Sequence, residues 1–441
     1  MTEDESTDQT PRDGDKTDVE ARVRIQRQHL VSELLEIIRE REELADEMQD
    51  YPLEVDGLLR DALREGATDI HLDPRRQGLL VRMRIDGIVL DATLLNHDQA
   101  TRLINQFKSM VQLSPVTHFL PEEGRASYDL DGESLSLRLT EIPCLNGNKI
   151  NVRLFRHQPA PHQLDQLGLH EKALEDLQEW IGNISGMLLV CGPAGSGKTT
   201  TLYALLHQLR LHEINVVTIE DPVEYEIDGI NHMQVDQQHG LDFASGLQAI
   251  LRLDPDYLML GEIRDAASAH AALAAAASGH PLMSTLHSRD AVGVVDALRN
   301  MGLNGHDISA NLMLVLAQRL VRMLCPHCKS EEPPTEEERQ WLQLLGREVP
   351  ERVSRANGCG SCKGLGYLGR TGVFEVWRSD PDEYEMILEG ADRRTLYRHL
   401  AQRNHRFLLD DGLTKVAQGI TTLSELRGMG GFSALPAVDR D

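Results

Sequence analysis

Eight consecutive residues, Gly192-Pro193-Ala194-Gly195-Ser196-Gly197-Lys198-Thr199, fit G-x-x-x-x-G-K-[ST] at every fixed position. Glycines let backbone N–H groups turn inward without a Cβ clash, and a helix that starts there points its positive end at an anion. Such a loop cradles nucleotide phosphates. Lys198 would reach the β- and γ-phosphates, the Thr199 hydroxyl would hold Mg²⁺, and Thr200 continues the contact surface into the first helical turn. The plainer alternative is a glycine-rich turn. The flanks favour the phosphate loop, because an apolar run at 187–191 precedes it and a helix-compatible run at 200–210 follows.

Further groups with chemical potential stand at the ends of other apolar runs. The run 215–219 ends in Glu220-Asp221-Pro222-Val223-Glu224, and Pro222 cannot continue a central ladder, so the chain must turn out there. The run 257–260 ends in Gly261-Glu262-Ile263-Arg264-Asp265, which puts Glu262 where an acid would hold Mg²⁺ or its waters. The run 281–285 leads into Leu286-His287, with His280 just before it. A carboxylate at a strand end can equally cap a helix, and a histidine there can be structural. Ligands of doubly wound sheets gather at the carboxyl ends of strands, so these groups beside a phosphate loop point to one site.

A second constellation is Cys325-Pro326-His327-Cys328 with Cys359-Gly360-Ser361-Cys362. Two C-x-x-C pairs supply four thiolates for a tetrahedral Zn²⁺, and a closed four-thiolate site is structural rather than catalytic. A redox pair or free thiols are the alternatives. Cys144 and Cys191 stand singly and are expected to be buried.

The elements that would position these groups fall into an α/β chain. Residues 1–20 are acidic and polar, with little to bury, and are expected to form a disordered tail. Residues 21–50 carry apolar positions at helical spacing, so an amphipathic helix is expected, packed internally or offered to a partner. Residues 51–157 mix helices and strands into an α+β domain, and 158–166, with two prolines, reads as a linker. From 167 to 428 strands and helices alternate as in a doubly wound sheet, with helices expected at 243–252, 266–278, 291–300 and 308–324. A cysteine-bearing insertion occupies 325–370, helices follow, and 429–441 is loose.

The formal net charge of −25 argues against stable binding of nucleic acid by bulk electrostatics. With 41% hydrophobic but only 4% aromatic residues, the cores must be largely aliphatic. No apolar run approaches the roughly 20 residues of a membrane span, and no secretory signal is evident at the N-terminus, so a cytosolic protein is expected.

The blocks GPAGSGKTTTLYALL, TIEDPVEYEIDGI, LMLGEIRDAASAHAA and GHPLMSTLHS resemble, in order and spacing, the four motifs of the secretion ATPases that power type II secretion and type IV pilus assembly. The resemblance covers about residues 51–429. It implies a RecA-like P-loop ATPase domain preceded by a PAS-like α+β domain, with a zinc-binding insertion and C-terminal helices. It also implies site roles. Glu224 would polarise the attacking water, Glu262 would serve Mg²⁺, and His287 would sense the γ-phosphate with His280 in support. Arg138, in Ser136-Leu137-Arg138-Leu139, and Arg153, in Asn151-Val152-Arg153-Leu154, match the positions from which the first domain's arginines meet the nucleotide phosphates. The run after Arg138 departs from the small polar residues usual there. By the same resemblance the working form is a homo-hexamer at the inner face of the cytoplasmic membrane, pushing on a platform protein and touching the membrane only through partners. Members of the family commonly carry a further domain before the PAS-like one, where a tail and one helix are expected here. Two other readings have defined signatures: a nucleic-acid-translocating secretion or competence ATPase, which DNA would stimulate, and a nucleotide-gated scaffold without turnover.

Overall fold

The computed structural model describes residues 29–43, 53–116, 119–156, 163–182, 185–210 and 213–429. The tail 1–20, most of the linker 158–166 and residues 430–441 lie outside the described residues. The chain divides into two compact units between Gln158 and Pro159.

The described part of the first unit includes, after a short 3-10 turn at His29–Val31, the helices α1 (Ser32–Glu43) and α2 (Glu54–Glu65). The apolar stripe of α1 is buried, with Leu34 and Ile38 in one core with Val55, Leu58 and Leu59. The buried Asp61 carboxylate accepts the Leu34 backbone N–H at 2.9 Å and so caps the start of α1 from α2. This helix is therefore part of the unit's own core. Strands β1 (Ala67–Arg75), β2 (Gly78–Ile85) and β3 (Ile88–Leu95) precede α3 (His97–Met110), and β4 (Glu122–Leu130), β5 (Glu133–Cys144) and β6 (Gly147–Arg156) follow it. They form one sheet in the order β3-β2-β1-β6-β5-β4, antiparallel at every pairing. Alternation sorts its faces: Val81, Met83 and Ile85 of β2 are buried, while Arg82 and Arg84 are not.

The second unit is built on a seven-stranded sheet in the order β15 (Tyr367–Arg378), β12 (Leu312–Leu324), β7 (Met187–Cys191), β11 (Leu282–Leu286), β10 (Tyr257–Leu260), β8 (Val216–Glu220), β9 (Asn231–Gln234). After α4 (Glu171–Ile181) come β7 (Met187–Cys191), α5 (Lys198–Leu209), β8 (Val216–Glu220), β9 (Asn231–Gln234), α6 (Phe243–Ile250), β10 (Tyr257–Leu260), α7 (Ala266–Ala277) and β11 (Leu282–Leu286). β7 through β11 pair in parallel, and β12 pairs in parallel with β7. Parallel strands covered on both faces need apolar residues on both faces. In β7, Met187, Leu189 and Cys191 enter one core while Leu188 and Val190 enter another.

The chain then departs from the expected helix at 308–324. After α8 (Gly293–Asn300) and the short α9 (Gly305–Asn311), it extends into β12 (Leu312–Leu324). The run LMLVLAQRLVRML satisfies helical and fully buried strand patterns alike. What decides is the ladder available on each side: β7 on one edge, and on the other the antiparallel β15 (Tyr367–Arg378), itself in a stretch expected to be insertion and helix. Between these strands lie the ribbon β13 (Ser330–Glu332)/β14 (Val353–Arg355) and α10 (Glu336–Leu344). Among the described residues four helices follow: α11 (Pro381–Leu388), α12 (Arg393–Gln402), α13 (Leu408–Ala417) and α14 (Leu423–Gly428). Among the described residues no helix is long and apolar enough to cross a membrane.

Candidate nucleotide site and metal centre

The loop Gly192–Thr199 connects the interior strand β7 to α5 at the carboxyl edge of the sheet. Its shape depends on glycine. Gly195 and Gly197 adopt φ of +74° and +88°, and a Cβ on Gly192 would lie 2.5 Å from the Gln318 carbonyl oxygen. Lys198 Nζ donates to the carbonyls of Gly192 (3.1 Å) and Pro193 (3.2 Å). Burial lowers the Lys198 pKa, while the nearby Glu262 works in the other direction. Ser196 is buried and its Oγ has no hydrogen-bond partner. Thr199 is exposed on the first turn of α5, with Thr200 half-buried beside it. A backbone cradle with an orphaned hydroxyl and a desolvated ammonium fits a bound polyphosphate.

Two predicted residues converge here directly. His287, just past β11, places Nδ1 3.2 Å from the Gly192 carbonyl and Nε2 2.8 Å from Glu262 Oε1. Glu262, just past β10, is also held at its other oxygen by Arg264 Nε at 2.6 Å. Arg264 in turn reaches Asp221, just past β8, at 3.2 Å. Side chains from three strand ends are thus linked to the loop.

Glu224 is reached through another link. Its backbone N–H donates to the Tyr203 hydroxyl on α5 at 3.1 Å, and that hydroxyl donates to the buried Glu220 carboxylate. Glu220 also accepts from Thr218 (2.7 Å) and meets His232 (2.8 Å). Burial and Glu220 together raise the Tyr203 pKa, so the hydroxyl keeps its proton. The Asp221–Pro222 bond is cis. Of the acids in this stretch, Glu220 is a core anchor, Asp221 a half-buried ion-pair partner, and Glu224, also half-buried, is carried on the pinned turn. Asp265 caps α7 through the Ser268 N–H at 2.8 Å.

His280 stands apart from the groups gathered at the loop. It precedes β11, at the opposite edge of the sheet from the loop, and its Nδ1 lies 2.9 Å from Ser278 Oγ. At about 3.3 Å per residue the strand carries it roughly 20 Å from His287. Its proximity to His287 in sequence spans the full length of the strand in space.

In the first unit Arg138 on β5 pairs directly across from Arg153 on β6. Each is held by a carboxylate: Arg138 by Glu123 at 2.8 Å and Arg153 by Asp69 at 3.0 Å. Burial works against the Asp69 charge, but the Thr68 hydroxyl and Arg153 hold its carboxyl below the usual range.

The four predicted metal ligands meet. The sulfurs of Cys325, Cys328, Cys359 and Cys362 all lie within 4.8 Å of one another. The separations Cys325–Cys359, Cys328–Cys362 and Cys359–Cys362 are 3.9, 3.8 and 3.8 Å. A tetrahedron with metal–sulfur bonds of about 2.3 Å has an edge of about 3.8 Å, so the thiol set fits Zn²⁺. Backbone N–H groups of Cys359 and Gly366 point at Cys362 Sγ, both at 3.1 Å. Such donors favour thiolate there. Cys191 is buried as expected, but Cys144 is exposed on the β5–β6 hairpin.

Sequence reasoning missed Tyr203, which reads as one more residue of an apolar helix. It assigned no role to Arg264, although the residue stands inside the GEIRD block, or to Gln318, whose only signal is a polar side chain in an apolar run.

The profile of the family described as type II/IV secretion system protein matches residues 45–428. The type II secretion system protein E of Pseudomonas aeruginosa is 38% identical over 397 residues, covering 89% of this chain and 78% of its own. The type II secretion system ATPase E of Vibrio cholerae is 38% identical over 395 residues, with the same 89% and 78% coverage. The type IV pilus assembly ATPase PilB of Thermus thermophilus is 37% identical over 413 residues, or 91% of this chain and 46% of its own, so this chain spans just under half its length. Among solved structures, the fold is similar to the Legionella pneumophila ATPase DotB, with a TM-score of 0.63 at 21% identity, covering 88% of this chain and 98% of that one. It is also similar to the pilus retraction motor PilT with bound ADP, with a TM-score of 0.58 at 21% identity, covering 85% and 96%.

Proposed function

The chain belongs to the type II/IV secretion system protein family and is an ATP-hydrolysing enzyme of it, and from that premise we propose that it is a hexameric motor assembling pilin-like filaments beneath a membrane platform protein. It would work from the cytoplasmic side of the membrane, reaching the bilayer through its partners.

We assign the chemistry as follows. The backbone of 192–199 and Lys198 hold the β- and γ-phosphates. Thr199 and Glu262 would hold Mg²⁺, which when bound supplies charge neutralisation at the phosphate oxygens. Glu224 orients the attacking water. His287 reports the γ-phosphate, and Arg138 and Arg153 are assigned to the charge that spreads over the transferred group. The cysteine cluster would hold a structural Zn²⁺. His280 has no part in this reading.

The observation that carries the assignment is the His287 bridge between the Gly192 carbonyl and Glu262. A γ-phosphate arriving between loop and carboxylate would meet the same imidazole, so occupancy and metal binding are read by one ring. The test is steady-state ATP turnover by Lys198→Ala, Glu224→Gln and Glu262→Gln. Each should lose roughly 100-fold or more in kcat, with ATP binding retained in Glu224→Gln. Phosphate release by Glu224→Gln at the wild-type rate would overturn the assignment of Glu224.

A further inference from the structure

Beneath the phosphate loop lies a residue that none of its motifs contains. Gln318, in the middle of β12, is 2% exposed. Its Nε2 donates to the Ser196 carbonyl at 2.7 Å, and its Oε1 accepts from the Thr201 hydroxyl at 2.8 Å. Thr201 is itself buried on the first turn of α5. The amide therefore ties the loop, from below, to the helix the loop leads into.

The consequence follows from peptide geometry. In a trans peptide the carbonyl and the next N–H point in opposite directions across a plane that does not twist. Drawing the Ser196 carbonyl down onto Gln318 turns the Gly197 N–H up, toward the concave side where phosphate oxygens bind. Gly197 sits at φ +88°, with the Gln318 amide 3.1 Å from where a Cβ would be. A glycine tolerates either orientation of the preceding peptide.

We propose that Gln318 is a positioning residue for nucleotide binding, fixing the 196–197 peptide so that the Gly197 N–H is preset as a phosphate donor. The proposal rests on the nucleotide lying in the 192–199 loop. Without the tie the peptide samples both orientations, and apparent affinity falls by the fraction that remains competent. A competent fraction of about one tenth raises the dissociation constant about 10-fold.

The experiment measures ADP and ATP binding by calorimetry on the full chain, together with KM, kcat and thermal midpoint. Three variants are used, with Lys198→Ala as the control for the site. Gln318→Met keeps the volume and loses both hydrogen bonds. It should raise both dissociation constants about 10-fold and raise KM more than it lowers kcat. Thr201→Val leaves the Ser196 tie intact and should change affinity less than threefold. Gln318→Glu keeps the acceptor for Thr201 but faces the Ser196 carbonyl with a second acceptor. A buried carboxyl gains a proton as pH falls and then donates again. ADP affinity of this variant, relative to wild type at each pH, should therefore recover between pH 8 and 6. If Gln318→Met does not fold, the pH recovery of Gln318→Glu decides. Wild-type affinity in either Gln318 variant, or a Gln318→Glu defect that ignores pH, overturns the proposal. ADP binding by Lys198→Ala that equals wild type would instead remove the nucleotide from this loop.

Discussion

Replacing Tyr203 by Phe isolates one hydroxyl that joins the phosphate-loop helix to the turn carrying Glu224. The ring stays, so its packing on Tyr225, with centroids 4.4 Å apart, is kept. The hydrogen bond accepted from the Glu224 N–H and the one donated to Glu220 both go. The Glu220 carboxylate is 3% exposed and retains Thr218 and His232 on Oε1, but Oε2 loses its donor. A hydrogen bond to a buried charge is worth about 1.5–3 kcal/mol, whereas the half-buried Glu224 N–H can turn to water. The expected stability loss is about 2 kcal/mol, or roughly 3–4 °C in the thermal midpoint of a unit that spans Pro159–Asp441. The kinetic effect is separable. If the turn positions Glu224 for water, its loosening should lower kcat roughly 10-fold, since misplacement by about 1 Å can cost about 100-fold. KM for ATP should stay within about twofold of wild type, because the phosphate cradle is untouched. Differential scanning fluorimetry and a coupled ATPase assay below the lowered midpoint read both quantities. A variant that melts early but turns over at the wild-type rate would refute the link between this hydroxyl and catalysis, leaving Tyr203 as core packing.

Two further outcomes follow from the geometry. His280→Ala should leave kcat within about twofold of wild type while His287→Ala lowers it more than 10-fold, since only His287 meets Glu262 and the loop; a defect in His280→Ala as large as in His287→Ala would contradict the strand-length separation. The thiol cluster should hold about one zinc per chain by elemental analysis. Replacing Cys325 and Cys359 together by serine should abolish that content and lower the thermal midpoint, because a metal shared by the four sulfurs would clamp the turn that follows β12 to the segment that leads into β15.

Local spacing was enough wherever a function uses consecutive residues. The phosphate loop is contiguous, each C-x-x-C pair is a tight turn, and β7, β10 and β11 are short apolar runs between clear breaks. Their chemistry was legible because the chain itself brings the groups together. The amphipathic segment was ambiguous, since a stripe of Leu34 and Ile38 says that something covers it but not what. The structure answers with Val55, Leu58 and Leu59.

What required the fold was every relation across strands. A 3.6 and a 2.0 period coincide in a run as uniformly apolar as 312–324, and the ladders of β7 and β15 made it a strand. That same strand brings Gln318 beneath the loop, more than a hundred residues away in sequence. His280 and His287 lie close in the chain, yet an extended strand carries successive residues apart faster than any other regular structure, so they end on opposite edges. Sequence determined which groups exist and which neighbours they keep. The parallel order of the sheet alone decided which of them share a site, because it gathers the carboxyl ends of distant strands and sends their amino ends the other way.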